Sequence, residues 1–154
     1  MSAPDDDGLT PRHWIALTAL VSGVVATYLH LWKLGLAGQL ACTANHGCEI
    51  AQYSPYGYFF GVDVALIGAV GYTMVFITAM IGVQPRWIRD PRTTKLLAMM
   101  VYPAFLFTLR LKYGEFIVLK TFCPWCAVSA VTITLHSVLV WLDWKRTRSE
   151  KREA

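Results

Sequence analysis

Charge is what this sequence has least of. Only 16% of its 154 residues are Asp, Glu, Lys or Arg, against about 25% in ordinary soluble domains. That deficit excludes a disordered chain, a coiled coil and most soluble enzymes. The net charge of +4 is not spread over a basic face, so no nucleic-acid partner is expected. The bases sit in short clusters between apolar runs, which is a membrane-topology pattern. The chain also lacks a basic start: Asp5, Asp6 and Asp7 stand where a signal peptide would carry Lys or Arg, and no small-residue cleavage site follows the first apolar run. The first helix is therefore expected to stay. Alternating polar and apolar positions are missing too, which excludes a membrane β-barrel.

What is there is apolar: 55% of the residues are hydrophobic and the mean hydropathy is +0.43. Trp14–Trp32, Val64–Pro85 and Thr121–Leu142 run for 19, 22 and 22 residues without a formal charge, each near the roughly 20 that a helix needs to cross the hydrocarbon. Leu96–Leu109 has only 14, but Lys95, Arg110 and Lys112 have stems long enough to reach the headgroups, so it is read as a span as well. Lipid offers no hydrogen bonds to the main chain, so the spans must be helices. The expectation is a single all-α membrane protein. A flexible tail, residues 1–12, precedes a four-transmembrane-helix bundle over 13–144, with spans at about 14–35, 60–84, 94–113 and 121–143, and a basic tail follows at 145–154. Gly23, Gly68, Gly71, Ala65 and Ala69 are candidates for close helix approach.

Topology follows from Lys and Arg. Ten of the 14 lie at one end of the bundle (Arg12, Arg86, Arg89, Arg92, Lys95, Lys145, Arg146, Arg148, Lys151, Arg152) and four at the other (Lys33, Arg110, Lys112, Lys120). Both termini should face the cytoplasm, with the loop between the first two spans outside it. The basic tail is a candidate contact for anionic lipid.

All four cysteines fall at the outer end, where disulfides persist. Cys42 and Cys48 form a Cys-x5-Cys pair in the first outer loop, and Cys123-Pro124-Trp125-Cys126 opens the last span. At a helix start the second pair shares one face, and the helix dipole and free amides favour thiolate. Cys123 is expected to look towards water and Cys126 one turn deeper towards the bilayer. The loop disulfide is expected to be exposed and exchangeable, with His46 beside it. Trp125 is read as an interfacial anchor or a neighbour of the lipid-soluble acceptor. His136, far from the thiols, is read as a neutral, internally bonded histidine. Asp63 is read as the N-cap of the second span or as a proton donor or hydrogen-bonding group for the acceptor, two roles that can coexist.

These residues resemble the vitamin K epoxide reductase family. The likeness runs over about residues 12–144: Cys42-x5-Cys48, Ser54, Gly57, Gly61, Tyr72, then Phe122-Cys123-Pro124-Trp125-Cys126. The resemblance implies a stand-alone membrane domain in a bacterial inner membrane, without the fused thioredoxin domain of some relatives. It implies a quinone, ubiquinone or menaquinone, as electron acceptor, and a periplasmic thioredoxin-fold protein as thiol partner. By that likeness Cys126 acts on the quinone, Cys123 exchanges with Cys48, and Cys42 takes the mixed disulfide with the partner. Ser54 matches the hydroxyl residue near the pocket. Val62, Asp63, Val64, Leu66, Ser129 and Ala130 are expected around the quinone. Asp63-Val64 and Ala130 depart from the epoxide-reducing members and favour the thiol relay over epoxide reduction. The rival reading is a soft-metal binding or transport protein using the four thiols.

Overall fold

The computed structural model describes residues 10–42 and 46–153; residues 1–9 of the expected tail and residues 43–45 of the first outer loop lie outside the described residues. Four long helices are apolar enough to cross a membrane: α1 (Pro11–Lys33), α3 (Val64–Val83), α4 (Pro91–Tyr113, which runs on through a wider turn, Gly114–Val118) and α5 (Pro124–Glu153). A short α2 (Gly47–Tyr53) and a single turn, Pro55–Gly57, fold over one end. A two-residue hairpin, β1 (Tyr58–Phe59) against β2 (Val62–Asp63), completes that end.

Local chemistry sets the helix ends. Pro11 stands at the first position of α1, where its missing N–H costs nothing. Gly35 at φ +73° closes α1, with the Leu36 N–H reaching back to the Leu31 carbonyl at 3.0 Å. Asp63 and Asp90 cap α3 and α4 by accepting from the N–H of Ala65 and Arg92. α4 continues through Pro103. The second span was expected from residue 60, but Phe60 and Gly61, both at positive φ, form the hairpin turn, so the helix starts at Val64. The expected basic tail is helix as far as Glu153.

α1 lies between α3 and α5, and α4 closes the bundle against α3 and α5. Its core is small and branched: Ile15, Ala16, Ala19 and Ala26 of α1 meet Val75 and Ala79 of α3, with Leu97, Val101, Ile133 and Val140 from α4 and α5. In lipid such faces associate by close packing rather than by escape from water. Leu17, Leu20, Val24, Met99, Leu106 and Val131 point outward, as lipid-facing residues do. Gly23 and Gly68 face the partner helix, but an added Cβ would meet Tyr72 and Ala26 at ordinary contact distances of 3.5 and 3.6 Å, and Gly71 faces nothing within 4 Å. Alanine would serve at these positions, so their packing does not require glycine.

The end away from the cysteines is locked by a residue expected in a tail. Arg12 belongs to α1 and is 1% exposed. Its Nε lies 2.9 Å from Asp143 on α5, and its other nitrogens donate to the carbonyls of Gly82 and Trp87 and to Thr94 Oγ1. Thr94 also donates to Asp143 at 2.7 Å. One guanidinium thus ties together α1, α3, α4 and α5. Removing one partner of a buried pair leaves an uncompensated charge. Arg12→Met should therefore destabilise the bundle by about 3–5 kcal/mol, read as a lower thermal unfolding temperature in detergent, and Asp143→Leu added to it should recover part of the loss. Equal unfolding temperatures for Arg12→Met and the parent chain would contradict the lock.

Candidate active site

The site grows from the first turn of α5. Pro124 opens the helix and leaves Cys123 at its N-cap, where its sulfur accepts the amide of Cys126 at 3.4 Å. Cys123 and Cys126 are free thiols, whereas Cys42 and Cys48 are joined in a disulfide, a form that offers no thiolate to a metal. Cys123 was expected to face water, yet it is fully buried. It is covered by α2 and by Glu115, whose Oε1 accepts the Cys123 N–H at 2.7 Å. The Glu115 Oε2 lies 2.6 Å from Lys112 Nζ, so Lys112 turns inward to a partner rather than out to the headgroups. Cys126 is the more accessible thiol of the two, and Gln52 of α2 donates to its sulfur at 3.3 Å.

α2 carries the loop pair onto this turn. Gly47 lies against the chain just before Cys123: Thr121 Oγ1 donates to its carbonyl at 3.0 Å, and a Cβ on Gly47 would collide with the Phe122 carbonyl. Cys48 follows directly and is fully buried, correcting the expectation of an exposed disulfide. Only the Cys42 side is partly open. Trp125 pins the segment before it, donating from Nε1 to the Ala41 carbonyl at 3.0 Å and packing on Tyr28. His46 is exposed, at φ 52°, and lies 3.4 Å from Glu49.

An apolar cavity of about 100 Å³ opens beside Cys126. Leu29, Ala65, Leu111 and Trp125 supply much of its wall, and Ser22, Gln52, Lys112, Glu115 and Ser129 supply its polar groups. A buried thiol and a half-buried one thus stand three residues apart, with α2 and its disulfide seated against the chain before the first and an apolar hollow beside the second.

The vitamin K epoxide reductase family matches residues 13–141. The chain belongs to that family. It is accordingly a multi-pass membrane protein and a thiol–disulfide oxidoreductase. Of the residues expected around its acceptor, Val64 and Ser129 line the cavity. Ser129 is also bonded to the Tyr72 hydroxyl at 2.8 Å. Five others, Ser54, Val62, Asp63, Leu66 and Ala130, do not line it in this vitamin K epoxide reductase family member. Leu66 and Ala130 each follow a lining residue, Ala65 and Ser129, and the helical turn of about 100° per residue carries them away. Ser54 ends α2 and donates to the Ala51 carbonyl at 2.8 Å. Asp63 caps α3 and is held by Lys33 at 2.5 Å and His30 at 2.7 Å. Burial pushes its carboxyl up, but the hydrogen bonds of Lys33, His30 and Ala65 outweigh this and hold it below the usual range. It is the N-cap of α3, and its carboxyl is held towards the ionised form. His136 is buried in α5, with Nε2 2.8 Å from Thr18 Oγ1 and Nδ1 unpartnered.

Gln52, Lys112 and Glu115 were not found from the sequence as site residues. The opposite charges of Lys112 and Glu115 at a spacing of three, beside a span end, were the available signal.

The Cys123 thiol is held down to about 7. The hydrogen bond from the Cys126 side chain lowers it most; burial opposes; the Cys126 amide lowers it, Glu115 raises it and Lys112 lowers it. Cys123 is therefore thiolate above about pH 7. In the reduced protein, ultraviolet thiolate absorbance should rise with a midpoint near 7. Cys126→Ala should move that midpoint up and Glu115→Gln should move it down; a midpoint indifferent to Cys126 would contradict this geometry.

Proposed function

We propose that the chain is a quinone-dependent disulfide-generating oxidoreductase. It reoxidises a periplasmic thioredoxin-fold protein, passes the electrons to ubiquinone or menaquinone, and so supports disulfide formation. One observation carries the reading: a disulfide docked through Gly47 against the approach to Cys123, while Cys126 opens onto an apolar cavity. The partner's thiolate attacks Cys42, the open side of the loop pair, and frees Cys48. Cys48 then exchanges with an oxidised Cys123–Cys126 pair, the loop disulfide re-forms once the partner's second thiol leaves as its own disulfide, and Cys123 and Cys126 are left as thiols. Each exchange is thiolate attack on sulfur with a thiolate leaving. Cys126 faces the quinone, whose reduction closes Cys123–Cys126 again.

The cavity is smaller than the roughly 300 Å³ at the low end of ligand pockets. A quinone ring therefore enters with α2 and the outer ends of the helices displaced, its tail remaining in lipid. The bacterial inner membrane, with both termini in the cytoplasm and the cysteines in the periplasm, accords with ten bases at one end and four at the other.

In proteoliposomes holding a short-chain ubiquinone or menaquinone, the protein should reduce the quinone with either dithiothreitol or a reduced thioredoxin-fold protein as donor. Cys126→Ser should abolish both reactions. Cys42→Ser should abolish the protein-driven reaction and spare much of the dithiothreitol-driven one. Undiminished turnover by Cys126→Ser would overturn the reading.

A further inference from the structure

The cavity beside Cys126 is apolar except for a few groups, and among them stands one charge pair. Lys112 and Glu115 both line it, 16% and 6% exposed, with Nζ and Oε2 2.6 Å apart. Lys112 closes α4 and Glu115 lies in the wider Gly114–Val118 turn that continues it. The second oxygen of Glu115 accepts the Cys123 N–H. One carboxylate thus touches the backbone of the inner thiol and the ammonium that reaches the hollow.

A buried ion pair is costly to build and is often no more stable than an apolar replacement. Holding the Cys123 N–H needs an acceptor there, which a neutral amide would supply, and needs no lysine. What the ammonium adds is positive charge and a transferable proton beside the place where a reduced acceptor becomes negative. Asp63 cannot serve, since it is off the wall and bound to Lys33 and His30. His136 does not line the hollow. The titratable groups that do are Lys112, Glu115, Cys126 and Tyr56; α1 and α3 contribute none among the described residues.

We propose that Lys112 is the proton donor to the quinone, with Glu115 as the positioning residue that holds its ammonium between Cys123 and the cavity. The proposal rests on the thiol:quinone reading above. The reaction balances with one proton from water. With Cys123 as thiolate, oxidation of Cys123 and Cys126 breaks one S–H bond, forms one S–S bond and releases two electrons and one proton; the quinone gains both electrons and forms two O–H bonds. Lys112 gives its proton to a quinone oxygen and regains one from the Cys126 thiol as it is oxidised. The second proton comes from water.

Quinone reduction in proteoliposomes tests this with Lys112→Met, Lys112→Arg and the pair Lys112→Met/Glu115→Gln, each checked for folding by its thermal unfolding temperature. General acid catalysis is worth at least about 100-fold, so Lys112→Met should lower kcat by about that factor and regain rate as the pH falls and water supplies the proton. Lys112→Arg keeps the charge but holds its proton too tightly to release it, and should be as slow as Lys112→Met. The double variant leaves no unpaired buried carboxylate and should also be slow, so misfolding of the single variant does not shelter the idea. Wild-type rates in Lys112→Arg would mean that charge alone matters and would overturn the proposal. A wild-type rate and pH profile in the double variant would do the same. If the parent protein itself reduces no quinone, it is the thiol:quinone reading that fails, and this proposal with it.

Discussion

The contact between Gly47 and the strand of chain before Cys123 decides what the four sulfurs can do. A threonine hydroxyl on a carbonyl and a glycine with no room for a side chain bring α2 down on the start of α5. Together with the Trp125–Ala41 and Gln52–Cys126 hydrogen bonds, that seat holds Cys48 against the bundle. With it, Cys48 and Cys123 are both removed from water on adjoining pieces of chain, and only Cys42 keeps an open side. An exchange relay needs this arrangement, because a buried thiolate reacts with whatever the fold places next to it and is shielded from stray thiols.

The two ends of the bundle use charge differently. At the basic end Arg12 and Asp143 are sealed among carbonyls and Thr94, a closed set that binds four helices and opens onto no cavity lining. At the thiol end Lys33 and Asp63 fasten the hairpin and cap α3, while Lys112 and Glu115 face a hollow. The same pairing of a base with an acid is structural where every donor is satisfied within the protein, and chemical where the ammonium borders empty space beside a sulfur.

Much of this was legible in the sequence. Long uncharged runs announce spans because lipid forbids exposed backbone, and the four cysteines, read from the sequence as gathered at one end, do lie there. Other features were hidden for physical reasons. Arg12 read as a flanking charge because its partner is 131 residues away, and no local pattern encodes such a pairing. Cys48 read as exposed because a polar, glycine-containing loop ordinarily is, and only the seat of Gly47 buries it. Lys112 read as a snorkelling stem because the apolar run stops at Leu109, whereas the helix and its wider turn continue to Val118. Leu66 and Ala130 each stand one step from a residue that lines the cavity, Ala65 and Ser129: the sequence marks the mouth of the bundle, but only helix rotation tells which of two neighbours faces inward.

The most direct measurement is to remove the outer cysteine of each pair and ask whether the inner two find each other. In Cys42→Ser/Cys126→Ser protein, mild oxidation in the membrane followed by proteolysis and mass spectrometry should yield the Cys48–Cys123 peptide as the dominant disulfide, formed within one chain. Recovery of both thiols unpaired, or linked only between chains, would contradict the relay.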